Sequence, residues 1–168
     1  MKLPPNHLSD KIVRLPKLRV NPHSWSAIAG QMGEELAGEW LRERHFEFID
    51  SWGLQWLTGS NDFFERHPEA GEQFASFFAG EDCDKIRALM AQFNSERIRY
   101  KDSGVSGGES DLIAKMPRLT FIEVKTNGAD VSPRQRAFLR LAKKFGFDTA
   151  IMRLTLKFVH SKPQFEKY

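Results

Sequence analysis

The stretch Ser110-Asp111-Leu112-Ile113-Ala114-Lys115-Met116-Pro117-Arg118-Leu119-Thr120-Phe121-Ile122-Glu123-Val124-Lys125-Thr126 decides the fold. Leu112-Ile113-Ala114 is a short apolar strand, and Leu119 to Val124 is a stronger one, rich in β-branched and aromatic residues. Met116-Pro117-Arg118 interrupts them, so the two should form a hairpin. With the turn centred near 116–118, Asp111 falls opposite a residue between about 121 and 124, close to Glu123. Side chains alternate along a strand, so Glu123 and Lys125 share one face while Ile122 and Val124 share the other.

Elements of both periods flank this hairpin. Leu36, Ala37, Trp40 and Leu41 recur at helical spacing and predict a helix over about 26–45. Phe46 to Ile49 then reads as a short strand. Five phenylalanines (Phe63, Phe64, Phe74, Phe77 and Phe78) and the helical stripe Ile86, Leu89, Met90, Phe93 predict two or three short helices inserted at about 51–96. Arg97 to Tyr100 alternates like a strand, and residues 103–108 read as a loop. Downstream, Ser132-Pro133 opens a helix reaching about Lys144, with Phe138, Leu139, Leu141 and Ala142 as its apolar face and Gly146 as its stop. Thr149 to Leu156 is the next strand. The first 25 residues, rich in proline, read as an extended arm with a short strand near 12–18. The expected fold is α/β: a mixed central sheet flanked by helices in one domain, 26–168, with the helical insertion.

Composition narrows the function. A chain of 168 residues with 28% charged and 40% hydrophobic residues is an ordinary globular mixture. It has no apolar run near the roughly 20 residues that span a bilayer, and no signal-like start, so a cytoplasmic location without membrane attachment is expected. A single cysteine, Cys83, excludes a disulfide framework and a cysteine zinc cluster. The net charge of +3 hides an asymmetry: residues 31–96 carry a net −9 and residues 111–168 a net +7. A basic final third suits a polyanionic partner such as nucleic acid, although the same charges would serve as a solvated surface. The five histidines are scattered, no glycine-rich phosphate loop ends in Lys-Ser/Thr, and Ser106 and Ser110 lack a nearby histidine. Zinc sites, NTP hydrolysis and serine hydrolysis are therefore set aside.

The hairpin carries the remaining chemistry. Two carboxylates at its end, Asp111 and Glu123, repel each other unless a cation lies between them. Hard oxygen ligands with room for water and phosphate suit Mg²⁺ or Mn²⁺, which neutralises phosphate charge and lowers the pKa of bound water. Lys125 can orient or deprotonate that water, or stabilise developing negative charge. The competing reading is a surface ion pair at a strand end.

The run Gly107-Gly108-Glu109-Ser110-Asp111-Leu112-Ile113, followed by Phe121-Ile122-Glu123-Val124-Lys125-Thr126 and Ser132-Pro133-Arg134-Gln135, resembles the PD-(D/E)XK nuclease superfamily. Within it the chain is most similar to the VRR-NUC branch and to Holliday-junction resolvases of the archaeal type. Ser110 stands where the pattern has proline. The resemblance implies a restriction-endonuclease-like fold and a Mg²⁺- or Mn²⁺-dependent endonuclease acting on branched or structured DNA, in keeping with a homodimer. It implies that Asp111 and Glu123 bind metal with the Val124 carbonyl. It also implies that Lys125 assists the water, and that Glu34, on the first helix within Gly33-Glu34-Glu35-Leu36-Ala37, joins directly or through water, with Glu35 and Glu39 as competing assignments. Gln135 belongs to the site by resemblance, but Ser132-Pro133-Arg134-Gln135 is also a capping box. Of the cations on that helix, Arg134, Arg136, Arg140, Lys143 and Lys144, the last four fall largely on one side as a candidate phosphate-contacting face. The alternatives are an inactive DNA-binding module of the same fold, or a ribonuclease or nuclease toxin.

Overall fold

The computed structural model describes residues 25–59, 68–97 and 109–156. The proline-rich arm, the strand expected near 12–18, the glycine-rich loop 103–108 and Phe63 and Phe64 lie outside them. In chain order the elements are α1 (Trp25–Glu43), β1 (Glu47–Asp50), α2 (Trp52–Thr58), α3 (Pro68–Phe78), α4 (Cys83–Arg97), β2 (Leu112–Lys115), β3 (Leu119–Thr126), α5 (Pro133–Lys144) and β4 (Asp148–Leu154). Among the described residues, three helices lie in the expected insertion. Arg97 closes α4 instead of opening a strand, because the Ile86, Leu89, Met90, Phe93 stripe keeps helical period to its end. Residues 98–100 lie outside the described set.

The sheet order is β1-β2-β3-β4. β1 and β2, and β2 and β3, pair antiparallel, whereas β3 and β4 run parallel, joined by α5. A parallel neighbour requires such a crossover. Leu112 pairs with Ile122 and Lys115 with Leu119, so the hairpin register, extended by one residue, sets Asp111 against Glu123.

Every residue of β3 is buried except Lys125, which is half-buried. The alternation explains this, since each face meets a different helical layer. Phe121 and Leu119 join Ile113, Phe93 and Phe138 beneath α2–α5, where Phe93, Phe121 and Phe147 make edge-to-face contacts around Phe138 and Phe121. Ile122 and Val124 pack with Leu112, Met152 and Leu154 against Leu36, Ala37, Trp40 and Leu41 of α1. Burying a strand on both faces leaves a charged end only where the layers part, and in β3 that end holds Glu123 and Lys125.

Local devices at the helix ends and at one close contact set this geometry. A Cβ on Gly33 would collide with the Thr126 Cγ2 methyl, so glycine lets α1 lie flush on the end of β3. At its other end α1 stops at His45, left-handed at φ 59°, while the Phe46 N–H donates to the Leu41 carbonyl at 3.0 Å. α5 begins with the expected capping box. The Gln135 N–H donates to Ser132 Oγ at 3.2 Å, and the Ser132 N–H donates to Gln135 Oε1 at 2.9 Å. Gly146, at φ 78°, follows its last turn.

Candidate active site

Chain ends converge at the C-terminal end of β3. β1 ends there with Asp50, β2 begins there after Asp111, and β3 delivers Glu123, Val124 and Lys125. The Val124 N–H donates to Asp111 Oδ2 at 2.7 Å, which fixes the aspartate across the hairpin. Lys125 Nζ lies 2.7 Å from Glu123 Oε1, as expected for residues two apart on one face.

Glu123 is 0% exposed. Apart from the ion pair, neither of its carboxylate oxygens accepts a well-formed hydrogen bond from the protein. Burial, and then repulsion from Asp111, push its carboxyl up to about 8 against the pull of Lys125. Burial also raises Asp111, opposed by the Val124 N–H and Lys125. The two carboxyls are close enough for Asp111 to raise Glu123 by repulsion. A buried acid pair of this kind holds either a proton or a cation.

Glu34 comes from α1. As a residue it is exposed, yet its carboxyl is largely desolvated; burial, then repulsion from Asp111 and Asp50, push it up to about 7. Its neighbours Glu35 and Glu39 are exposed. The structure therefore draws Glu34 into the electrostatics of the pair. Among the described residues, no three His, Cys, Asp or Glu side chains converge into a ready-made cage. The buried Asp111–Glu123 pair offers hard carboxylate oxygens of the kind that suit Mg²⁺ or Mn²⁺, and Glu34 is linked to it by electrostatic repulsion from Asp111.

Asp50 was not legible as a site residue. It closes β1 opposite Leu112, one position from Asp111, and raises the Glu34 carboxyl. Its Oδ1 accepts the Trp52 N–H at 3.0 Å, so it also starts α2. Only the strand order brings it here, and the sequence gives no spacing that reveals it.

Gln135 sits at the head of α5 with its Oε1 occupied by the cap. The α5 cations divide. Arg136, Arg140 and Lys144 line a groove of about 490 Å³ with Glu96, Pro133, Ala137 and Leu141. Arg136 is braced there by donating from Nε to the Val131 carbonyl at 2.9 Å. Lys143 instead lines a separate hollow with Met116, Thr120 and Phe147. Arg134 is half-buried, its guanidinium 5.9 Å from the centre of the Phe93 ring.

A mixed sheet with helices on both sides, bearing an Asp at the head of one strand and Glu-x-Lys on the next, defines a nuclease of the PD-(D/E)XK class. The chain belongs to the VRR-NUC domain family, whose model matches residues 60–155, more than half of its length. That match includes most of the helical insertion and all of the hairpin, while α1 with Glu34 lies upstream of it. No curated protein and no solved structure matches the chain. The protein is accordingly a nuclease with DNA as its substrate class. No helix among the described residues is long and apolar enough to cross a membrane.

Proposed function

We propose that the protein is a divalent-metal-dependent endonuclease acting on branched or otherwise structured DNA, its single domain spanning residues 26–168. One observation carries the metal dependence: Glu123 is fully buried beside Asp111, and among the described residues its carboxylate has only the Lys125 ammonium, 2.7 Å from Oε1, as a partner. Such a pair is stable only when a proton or cation occupies it. Mg²⁺ or Mn²⁺ held there supplies charge neutralisation at the scissile phosphate and acidifies a water.

The protein's own groups do the rest. Asp111, pinned by the Val124 N–H, and Glu123, pinned by its strand, would hold the cation together with the Val124 carbonyl, and Glu34 would join directly or through water. Lys125 stands on the same face, where its ammonium orients the attacking water and steadies negative charge developing on the phosphate. Gln135, at the helix N-terminus after β3, adds a side-chain amide to the same end of the sheet. The groove cations Arg136, Arg140 and Lys144, with Lys143 and Arg134 on the same helix, seat the DNA backbone through phosphate contacts that carry no sequence information. A homodimer, cutting two strands with two such sites, suits a junction substrate, and a cytoplasmic setting suits the lone thiol.

The test is cleavage of supercoiled plasmid and four-way-junction DNA with Mn²⁺, Mg²⁺ or EDTA, comparing wild type with Asp111→Ala and Lys125→Ala. Cutting that needs the metal and fails in both variants is expected. Equal rates in all three proteins would overturn the site. Binding without cleavage would mark an inactive DNA-binding module, and preference for RNA would mark a ribonuclease.

A further inference from the structure

Resting on that reading, we propose that Arg153 of β4 is a substrate-positioning residue. It grips a phosphate next to the scissile one, while Ile151 packs on the adjoining sugar.

β3 and β4 run parallel in a register that places Ile151 beside Glu123 and Arg153 beside Lys125. Partners in register point to the same face, with backbones about 4.8 Å apart. The reactive Glu-x-Lys pattern is therefore flanked, position for position, by Ile-x-Arg. The two lines differ in exposure. Glu123 is fully buried, whereas Ile151 is 41% exposed and Arg153 is also exposed. Among the described residues β4 is the outer strand, and this face is open where Ile151 and Arg153 lie, next to the covered Glu123.

Arg153 is held in place. Its Nη1 donates to the Ala129 carbonyl at 3.1 Å, in the turn that leaves β3. That turn is tied to β4 twice: the Asn127 N–H donates to the Leu154 carbonyl at 2.9 Å, and the Leu156 N–H donates to Asn127 Oδ1 at 2.8 Å. Arg153 is exposed, and the bond to the Ala129 carbonyl is the hydrogen bond its guanidinium makes among the described residues. Lys125 has Glu123 as its counter-charge, but Arg153 forms no ion pair with a described carboxylate. Two cations side by side on one sheet face repel unless an anion bridges them. A phosphodiester strand crossing from Lys125 to Arg153 is such an anion, and an exposed isoleucine between the acid pair and the arginine suits the apolar side of a sugar. Arg153 thus sets where along the strand the cut falls, and Lys125 acts at the cut itself.

Binding is measured by fluorescence anisotropy on a four-way junction over a salt series, in Glu123→Gln protein so that no cutting intervenes. Adding Arg153→Gln is expected to weaken binding about tenfold and lower the slope of log K against log salt by about 1. Arg153→Lys should restore most of that slope, because the charge returns. Ile151→Ala should weaken binding without changing the slope. In the otherwise wild-type enzyme, Arg153→Gln should raise KM more than it lowers kcat. An unchanged affinity and slope would overturn the inference while wild type still binds and cuts. So would a loss that Arg153→Lys does not rescue and that tracks a fall in Tm, since that is a brace for the 127–131 turn alone. If wild type neither binds nor cuts DNA, the nuclease reading fails and takes this one with it.

Discussion

At the scale of single residues, the acid pair stores an electrostatic conflict. Glu123, held at about 8 by burial and by Asp111, keeps a proton in the folded, metal-free protein that the unfolded chain releases near pH 4.5. A raised folded-state value means that the stabilising proton is in place below pH 4.5 and is progressively lost as pH rises through about 8. Glu34, raised to about 7, adds in the same direction. In EDTA, therefore, Tm should fall between pH 5 and pH 8, and saturating Mn²⁺ should recover most of the loss. Glu123→Gln should flatten the pH dependence, raise the metal-free Tm at pH 8 and abolish cleavage. Metal uptake near pH 7 should also release protons, seen in calorimetry as a heat that varies with the ionisation enthalpy of the buffer.

At the scale of elements, the site depends on how closely α1 meets β3. Gly33 precedes Glu34, and its missing side chain is the space occupied by the Thr126 methyl. Thr126 is β-branched and buried, so it cannot swing aside cheaply. Gly33→Ala should cost about 1–3 kcal/mol in chemical denaturation. It should also lower metal affinity, because the helix carrying Glu34 is pushed off the sheet. Gly30→Ala, where an added Cβ meets nothing within 4 Å, is the control: it should raise stability by about 0.5–1 kcal/mol through helix propensity and leave metal affinity unchanged.

The same scale shows what the sequence could reveal. The hairpin was legible because Met116-Pro117-Arg118 interrupts two apolar runs and strand alternation then fixes which side chains share a face. α5 was legible from its capping box. Asp50 and Arg153 were not, since each reaches the site only through the order and direction of strands distant in sequence, Asp50 through β1·β2 pairing and Arg153 through β3·β4. The full burial of Glu123 was equally hidden, because Glu-x-Lys reads as a solvated strand end until helices close over both sides. The α5 wheel gathers four cations on one side, but long side chains diverge at their tips, so Lys143 meets a different hollow from Arg136, Arg140 and Lys144.

At the scale of the whole molecule, charge is segregated. Along the chain, residues 31–96 are strongly acidic and residues 111–168, which supply β2 to β4 and α5, strongly basic, a balance that suits a polyanionic substrate. Arg136, Arg140 and Lys144 lie at successive four-residue steps, about 6 Å apart along the helix axis. Replacing all three by glutamine should weaken junction binding by one to two orders of magnitude at low salt and reduce the salt slope by roughly 2–3. The single-turnover rate at saturating DNA should drop far less than in Lys125→Ala. Gel-shift titrations at 50 and 200 mM salt, alongside quenched single-turnover cleavage, check both statements.

β3, sandwiched between two apolar layers, is the strand least able to open by itself. Its backbone protons should exchange with deuterium only when the entire molecule unfolds, whereas the ends of α3 should label quickly. The Val124 amide, bonded to Asp111, belongs to that slowest set. Mass-spectrometric labelling of the peptide spanning 119–126 would then time the survival of the reactive centre, so that loss of activity under heat or denaturant should keep pace with its deuterium uptake and never run ahead of it.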